Sequence, residues 1–78
     1  MIRIKSVKPN SDYTLLLTFT NGKKGVFDVK PYFGKGTVFK GINNPVTFQS
    51  VKVVHGTIEW ANGADLCPDC VYLETKFI

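Results

Sequence analysis

The sequence predicts an α+β fold: a small, mostly antiparallel sheet, built as a three-stranded meander plus a C-terminal hairpin, with short helices. Three observations support this fold class. Residues 13–20 alternate between apolar and polar side chains, which is typical of a half-buried strand. Asn21-Gly22 follows directly and favours a tight hairpin. The segment 30–44 contains three glycines and a proline, which disfavour a long helix.

The meander occupies the first part of the chain. Residues 2–8 form its first strand, in which Ile2 and Ile4 alternate with basic residues. The second strand, residues 13–20, places four apolar side chains on one face: Tyr13, Leu15, Leu17 and Phe19. The third strand lies near residues 23–29.

The hairpin between the second and third strands can be assigned a register from its apolar face. A two-residue turn would pair Leu15 with Asp28 and place a carboxylate on that face. A three-residue loop with Gly22 in the left-handed region pairs Leu15 with Phe27 instead. Because a slip of one residue turns a whole strand face outward, we predict the three-residue loop.

The segment that follows is predicted to be a packed connection and then a capped helix. Three aromatic residues of the connection are expected to pack beneath the sheet: Tyr32, Phe33 and Phe39. Asn44 can cap a short helix that Pro45 opens, with Phe48 facing the core.

A second hairpin and a last helix complete the predicted order. Residues 51–54 and 57–60 form two strands around His55-Gly56. A last helical turn or two begins near Cys67-Pro68 and runs through Tyr72.

The chain has 78 residues and is predicted to form one domain, residues 1–78, with a formal net charge of +4. Nine of its ten basic residues lie in residues 1–54, and four of its six acidic residues lie in residues 55–78. This asymmetry predicts a dipolar surface, which could bind nucleic acid through its basic face or a protein through either face. The alternative is intramolecular pairing and solvated lysines.

The hydropathy pattern predicts no membrane association. No segment approaches the ~20 apolar residues that span a bilayer. The first residues alternate polar and apolar side chains and hold no secretory core, so we expect a cytoplasmic protein. Two cysteines in that compartment are expected to be reduced thiols.

Several short motifs follow one another in a fixed order along nearly the whole chain: Leu17-Thr18-Phe19, Asn21-Gly22, Val26-Phe27-Asp28-Val29, Asn44-Pro45 with Phe48, Ile58-Glu59-Trp60, Asn62-Gly63-Ala64-Asp65-Leu66, and Pro68-Asp69 with Val71-Tyr72. Their order and spacing resemble the family catalogued as domain of unknown function 2442. The resemblance implies a small bacterial or archaeal α+β domain, and some such proteins lie beside genes suspected of toxin–antitoxin behaviour. No catalytic residues are established for that family, so the resemblance implies none here.

Cys67 and Cys70 are the candidate redox residues. Pro68 suits the first position of a helix, so Cys67 would be its N-cap and Cys70 would lie one turn on. A thiol at a helix N-terminus has a lowered pKa, which is the physical basis of reactive dithiols. The resemblance favours another interpretation, since its pattern commonly has a capping Ser or Thr at the first position. Cys67 would then replace a cap, and Cys70 would be a small helix residue packed near the core.

No metal or other cofactor is predicted. One Cys-x-x-Cys pair supplies two ligands, whereas structural zinc needs four, and His55 is the only histidine. Asp65, Asp69 or a second protomer would have to complete the site. Together with Glu59, these carboxylates are expected to be structural, with Asp65 accepting backbone N–H groups in a turn and Asp69 complementing the last helix. His55 is expected to be exposed at the tip of its hairpin.

A lysine-rich segment interleaved with aromatic residues provides the candidate nucleic-acid-binding residues: Lys23, Lys24, Lys30, Lys35 and Lys40. None of the five is an Arg, which would bind phosphate or guanine in a bidentate manner. The aromatic residues between them alternate as core residues do. Trp60 is predicted to be either a core residue or an interface anchor.

The leading functional hypothesis is a non-enzymatic protein-interaction domain that binds an unidentified protein, or a second copy of itself, through a sheet edge. It could be one half of a paired regulatory module of the toxin–antitoxin kind. The alternative is a nucleic-acid-associated accessory protein that uses the lysines, and the third hypothesis is thiol redox at Cys67 and Cys70. The sequence shows no phosphate loop, no nucleophile–base pair and no full metal set, so we expect no enzyme.

Overall fold

A computed structural model describes residues 2–78, which form two antiparallel sheets and a few short helices. The four-stranded sheet has the order β1-β2-β3-β7, with β1 Ile4–Pro9, β2 Thr14–Phe19, β3 Lys24–Asp28 and β7 Lys76–Phe77. The three-stranded sheet has the order β4-β5-β6, with β4 Lys52–Val54, β5 Thr57–Glu59 and β6 Asp65–Leu66. The helices are α1 Thr37–Lys40, α2 Pro45–Phe48 and α3 Pro68–Glu74, and a 3-10 turn covers Lys30–Tyr32. The predicted α+β fold class is confirmed.

The register of β2 on β3 is the one that the apolar face predicts. Leu15 pairs with Phe27, and Leu17 pairs with Gly25. Gly22 adopts a φ of 87° in the connecting loop, a conformation that costs glycine little. The pairing brings the buried side chains of both strands to one face of the sheet, and that face becomes part of the core.

The core combines residues from both sheets and from the helices. Both sheets, the segment between them and α3 contribute fully buried side chains: Leu15, Leu17, Phe19, Phe27, Ile42, Phe48, Ile58, Trp60 and Val71. The aromatic residues of the connection, Tyr32, Phe33 and Phe39, are half-buried and pack against this cluster, as predicted.

The capped helix after the connection also agrees with the sequence. Asn44 Oδ1 accepts hydrogen bonds from the backbone N–H groups of Val46 at 2.9 Å and Thr47 at 3.3 Å. Pro45 occupies the first turn of α2, where its missing N–H costs nothing. The helix is only one turn long, and Phe48 anchors it in the core.

Trp60 is a core residue, and its proposed role as an interface anchor is wrong. Its side chain is 1% exposed. Its indole N–H donates to the carbonyl oxygen of Phe48 at 3.2 Å, which satisfies the one polar group of the ring. The strand pattern that alternates Ile58 with Trp60 turns both inward, so no partner can reach the ring.

Two strands were not predicted, and both extend a sheet by one member. β6 pairs with β5 through Ile58–Leu66 and Glu59–Asp65, so the expected C-terminal hairpin is a three-stranded sheet. β7 pairs with β3, so the expected meander is four-stranded. Each of these strands has two residues, which is too short for alternation to be recognised.

The turn before β6 differs from the prediction as well. Asn62 Oδ1 accepts the backbone N–H of Ala64 at 3.2 Å, whereas Asp65 lies in β6 with an exposed side chain. An Asn side chain that accepts from the residue two positions on forms an Asx turn, so Asn62 takes the role expected of Asp65.

Substitution of Gly25 by Ala should detach β7 from the sheet. A Cβ at this position would lie 2.5 Å from Thr75 Cγ2 and 2.7 Å from the carbonyl oxygen of Lys76, so backbone must move. We expect Gly25→Ala to lower the free energy of unfolding by about 1–3 kcal/mol, as overpacking does. Urea unfolding followed by circular dichroism measures it.

Gly34→Ala is the matched control for this substitution, because nothing lies within 4 Å of a Cβ at residue 34 and its φ is not positive. We expect its unfolding midpoint to stay within experimental error or to rise slightly. Equal midpoints for the two variants would contradict the tight packing of β7 on Gly25.

Candidate functional site

The structure brings Cys67 and Cys70 together as an exposed pair of thiols, here called the α3 dithiol. Cys67 has the extended backbone conformation of an N-cap, with φ −69° and ψ 141°, and Pro68 opens the helix. Cys70 lies one turn further on, and the two sulfur atoms are 3.7 Å apart. Both cysteines are free. Cys67 as the N-cap and Cys70 one turn on agree with the positions that the motif predicts.

The opposite side of α3 attaches the dithiol to the core. Val71 is fully buried, and the Tyr72 ring packs edge-to-face on Phe19 with ring centres 4.9 Å apart. The hydroxyl of Thr75 donates to the carbonyl oxygen of Val71 at 2.6 Å, so this carbonyl in the last turn of α3 has a hydrogen-bond partner. Since these groups define the inner side of α3, the interpretation that Cys70 packs near the core is wrong: its side chain is exposed.

The electrostatic surroundings make the two thiols unequal. No conventional capping hydrogen bond reaches the Cys67 side chain, yet the backbone N–H of Cys70 is the main influence that lowers the pKa of Cys67. The thiol of Cys70 lowers it further. The pKa of Cys70 is raised, first by its hydrogen bond with Cys67 and then by the charge of that thiolate, and Glu74 and Asp69 add to the rise. Cys67 is therefore the member that ionises first.

Tyr32 and Glu74 belong to the same neighbourhood, although they are far apart in sequence. The hydroxyl of Tyr32 donates to Glu74 Oε2 at 2.8 Å. Burial raises the pKa of Tyr32 to about 12, and the Glu74 hydrogen bond and charge, followed by the charges of Cys70 and Cys67, act in the same direction. No local motif marks this contact, because it depends on how the 3-10 turn packs beside α3.

The acidic residues singled out in the sequence do not form a metal site in the described part of the chain. Glu59 and Asp65 are cross-strand partners in β5 and β6, and Asp69 lies in the first turn of α3. Within residues 2–78 no group of three or more His, Cys, Asp or Glu side chains could hold a metal ion. His55 is exposed at its hairpin tip, as predicted.

The five candidate lysines occupy different elements and turns: Lys23, Lys24, Lys30, Lys35 and Lys40. Lys30 is already paired, since its amino group lies 2.9 Å from Asp28 and donates to the carbonyl oxygen of Asp12 at 3.1 Å. The amino group of Lys35 lies 5.1 Å from the centre of the Tyr32 ring, a cation–π contact. Part of the positive charge is therefore engaged within the chain.

The aromatic residues between these lysines offer no exposed rings for base stacking. Phe27 is fully buried, and the other three are half-buried against the core: Tyr32, Phe33 and Phe39. Single-stranded nucleic acid binds through stacking on exposed rings combined with positive charge, and only the second component is present in this segment.

The four-stranded sheet has a second face, opposite the core, here called the outer face. Four residues form one row across all four strands: Lys8 pairs with Leu16, Leu16 with Val26, and Val26 with Lys76. Residues directly opposite one another in neighbouring strands point to the same face. Leu16 and Val26 are half-buried at the centre of the row, and both lysines are exposed at its ends.

Polar residues and a shallow depression surround this row. Thr14 and Thr18 flank Leu16 on β2. The depression has a volume of about 240 Å³ and is lined by five residues: Thr14, Val26, Asp28, Glu74 and Lys76. The outer face therefore combines an apolar centre with a charged and hydroxyl-bearing rim, and sequence patterning alone could not show that it stays uncovered.

The sheet edges are short or irregular. β1, a six-residue edge strand, is bulged between Ile4 and Ser6 and ends at Pro9, which has no N–H to donate. The N–H of Ile4 is already bonded to the carbonyl oxygen of Gly56 at 2.9 Å. The opposite edge, β7, has only two residues. Bulges and proline are features that discourage pairing with another strand, so the edges are less suitable for docking than the outer face.

The order of elements and the motifs on them match a described family. The family model for "Protein of unknown function (DUF2442)" covers residues 4–77, nearly the whole chain. The chain belongs to the DUF2442 family. Searches of curated proteins and of solved structures gave no significant match. In residues 2–78 of this DUF2442 protein, the helices are too short or too polar to cross a membrane.

Limited alkylation should modify Cys67 before Cys70 at neutral pH, because its lowered pKa gives it the larger thiolate fraction. We expect a several-fold preference for Cys67 when iodoacetamide is limiting, measured by fragment-ion mass spectrometry of the peptide that holds both cysteines. The Cys67→Ser variant is the control, in which Cys70 should react no faster than an ordinary exposed thiol. Equal labelling of the two cysteines would contradict the inequality of the pair.

The Asp28–Lys30 pair should contribute stability that acid removes. The Lys30 side chain and then its backbone N–H hold the pKa of Asp28 below 3.8. A lowered folded-state pKa stabilises the fold above the unfolded-state pKa, and this contribution is lost as the pH falls through the folded-state value. The pair is exposed, so Asp28→Asn should cost below about 1 kcal/mol at neutral pH. Urea unfolding at neutral and strongly acidic pH should show that difference vanish in acid.

Proposed function

We propose that this DUF2442 protein is a non-enzymatic protein-interaction domain that binds an acidic partner protein through the outer face of its four-stranded sheet. The row Lys8–Leu16–Val26–Lys76 carries this proposal, because it places an apolar centre between two positive ends on an uncovered face. Interfaces commonly have this arrangement of an apolar centre and a polar rim.

The centre of the outer face supports binding through area removed from water. Leu16 and Val26 are neighbours across β2 and β3 and are only half-buried in the free chain. Covering them would remove the remaining apolar surface from water, which favours association by roughly 25 cal/mol for each Å². The methyl groups of Thr14 and Thr18 extend this apolar area along β2.

The rim supports an acidic partner over a second copy of the chain. Lys8, Lys24 and Lys76 are exposed on this face, whereas its two acidic residues are engaged within the chain. Asp28 is paired with Lys30, and Glu74 accepts a hydrogen bond from Tyr32. Two copies joined face to face would bring lysines near lysines, and like charges across an interface are unfavourable. Carboxylates on a partner would instead complement the rim and speed the encounter.

A paired regulatory module is the biological setting that fits this proposal. The resemblance of the sequence motifs to a family with members beside suspected toxin–antitoxin genes supports it, and the cytoplasm remains the expected compartment. In such a module this domain would contribute binding through its outer face. The alternative is that the lysines bind nucleic acid in an accessory role. The experiment below distinguishes this role from protein binding.

The test is co-purification of the tagged chain from its native host, with nuclease-treated lysate, followed by calorimetry with the purified partner. We expect an acidic protein that remains bound after nuclease treatment. The double variant Lys8→Glu/Lys76→Glu should lose at least roughly tenfold in affinity because the rim charges are reversed. Leu16→Ala should also weaken binding without a loss of folding, since Leu16 is not part of the core.

Lys35→Glu/Lys40→Glu is the matched control, because it reverses two charges away from the outer face and should change the affinity by no more than about twofold. Equal affinities for the two double variants would contradict the outer face as the binding surface. Capture that nuclease abolishes, together with salt-sensitive binding of purified chain to DNA or RNA, would favour the nucleic-acid role instead.

A further inference from the structure

We propose that the α3 dithiol is a thiol–disulfide exchange centre. Low-molecular-weight disulfides in solution oxidise it to an intramolecular disulfide, and cationic disulfides react faster than anionic ones. The observation behind this is geometric. The sulfur atoms of Cys67 and Cys70 are 3.7 Å apart, and both side chains are exposed. The outer face of the sheet has no part in this inference.

The fold allows the disulfide to form without a change in the core. A disulfide bond is about 2 Å long, and the sulfur atoms are now 3.7 Å apart, so they must approach each other by roughly 1.7 Å. Cys67 caps α3 and Cys70 lies in its first turn, and both side chains are exposed to solvent, so they can rotate toward each other. The residues that fix α3, Val71 and Tyr72, face the other way and need not move.

The two thiols have separate roles in the exchange. The Cys67 thiolate attacks one sulfur of the disulfide R–S–S–R, which forms a mixed disulfide and releases one R–S⁻ that takes a proton from water. Cys70 then loses its proton to solvent and attacks the Cys67 sulfur, which forms the Cys67–Cys70 bond and releases the second R–S⁻. The dithiol is oxidised by two electrons and the small disulfide is reduced to two thiols. The same thiols reverse the reaction.

The charge around the dithiol selects the substrate. Asp69 precedes Cys70 in the first turn of α3, and Glu74 lies one turn further along the helix, so two exposed carboxylates border the dithiol. An acidic surface attracts a cationic disulfide and repels an anionic one, and the effect weakens with salt. The dithiol lies on an exposed helix start, so a small disulfide meets no steric barrier.

The test uses purified reduced protein and three disulfides of similar size and different charge: cystamine, 2-hydroxyethyl disulfide and 3,3′-dithiodipropionate. Each reaction is quenched with acid, the remaining thiols are alkylated, and the products are resolved by mass spectrometry. We expect the intramolecular disulfide as the product in each case, with cystamine fastest and dithiodipropionate slowest by roughly tenfold or more at low salt. The difference in rate between cystamine and dithiodipropionate should become smaller in high salt, because salt screens the charges.

Single-cysteine variants test the assigned roles. Cys70→Ser should stop at a stable mixed disulfide on Cys67, because the second attack is lost. Cys67→Ser should react several-fold more slowly. Asp69→Asn should compress the ratio between the cationic and anionic disulfides, whereas Asp12→Asn, in the turn between β1 and β2, should leave that ratio unchanged.

Three results would overturn the proposal. The first is a disulfide between two chains in place of the intramolecular product. The second is an equal rate of reaction with small disulfides for the Cys67→Ser and Cys70→Ser variants. The third is an oxidation rate that does not depend on the charge of the small disulfide. Unfolding of the oxidised protein, seen by circular dichroism, would contradict the argument that the core is unaffected. These measurements need no partner protein, so their failure would leave the proposed binding function untouched.

Discussion

The pairing of Leu15 with Phe27 is the constraint on which the rest of the structure depends. It decides which side chains of β2 and β3 enter the core and which form the outer face, because alternate residues of a strand point to opposite sides. The same register places Gly25 between Leu17 of β2 and Phe77 of β7. Thr75 and Lys76 approach closely where a side chain at residue 25 would lie, so the attachment of the α3–β7 segment follows from that pairing.

The sequence was sufficient wherever one local rule acts without competition. Alternation in β2, the Gly22 loop and the Asn44 cap each depend on a few adjacent residues, and all three were predicted correctly. β6 and β7 were not, since a two-residue strand has no period of its own and exists only because a neighbouring strand offers hydrogen bonds. Trp60 shows the same limit, because alternation places it on a face without revealing which face is covered.

Some properties of the α3 dithiol follow from adjacent residues, and others depend on distant parts of the chain. Its spacing and its Pro68 are visible in the sequence, and they predict two neighbouring thiols at a helix start. The exposure of Cys70, by contrast, depends on which side of α3 packs on the core, and the inequality of the thiols depends on Glu74 as well as on the helix. Tyr32 joins this neighbourhood only because the chain packs the 3-10 turn near the end of α3.

The positions of α3 and β7 show where part of the charge asymmetry of the chain lies in the structure. Lys76 ends the row of the outer face and Asp69 lies in the first turn of α3, whereas Glu74 borders both the outer-face depression and the dithiol. A partner on the outer face would contact Lys76, whereas a small disulfide would meet Asp69. Lys8 and Leu16 belong to the outer face and Asp69 to the surroundings of the dithiol, so substitutions at these positions alter one surface at a time, whereas a change of Glu74 would alter both. Two carboxylates of the acidic end, Asp69 and Glu74, therefore act on the thiol pair, whereas Glu59 and Asp65 are cross-strand partners in the three-stranded sheet.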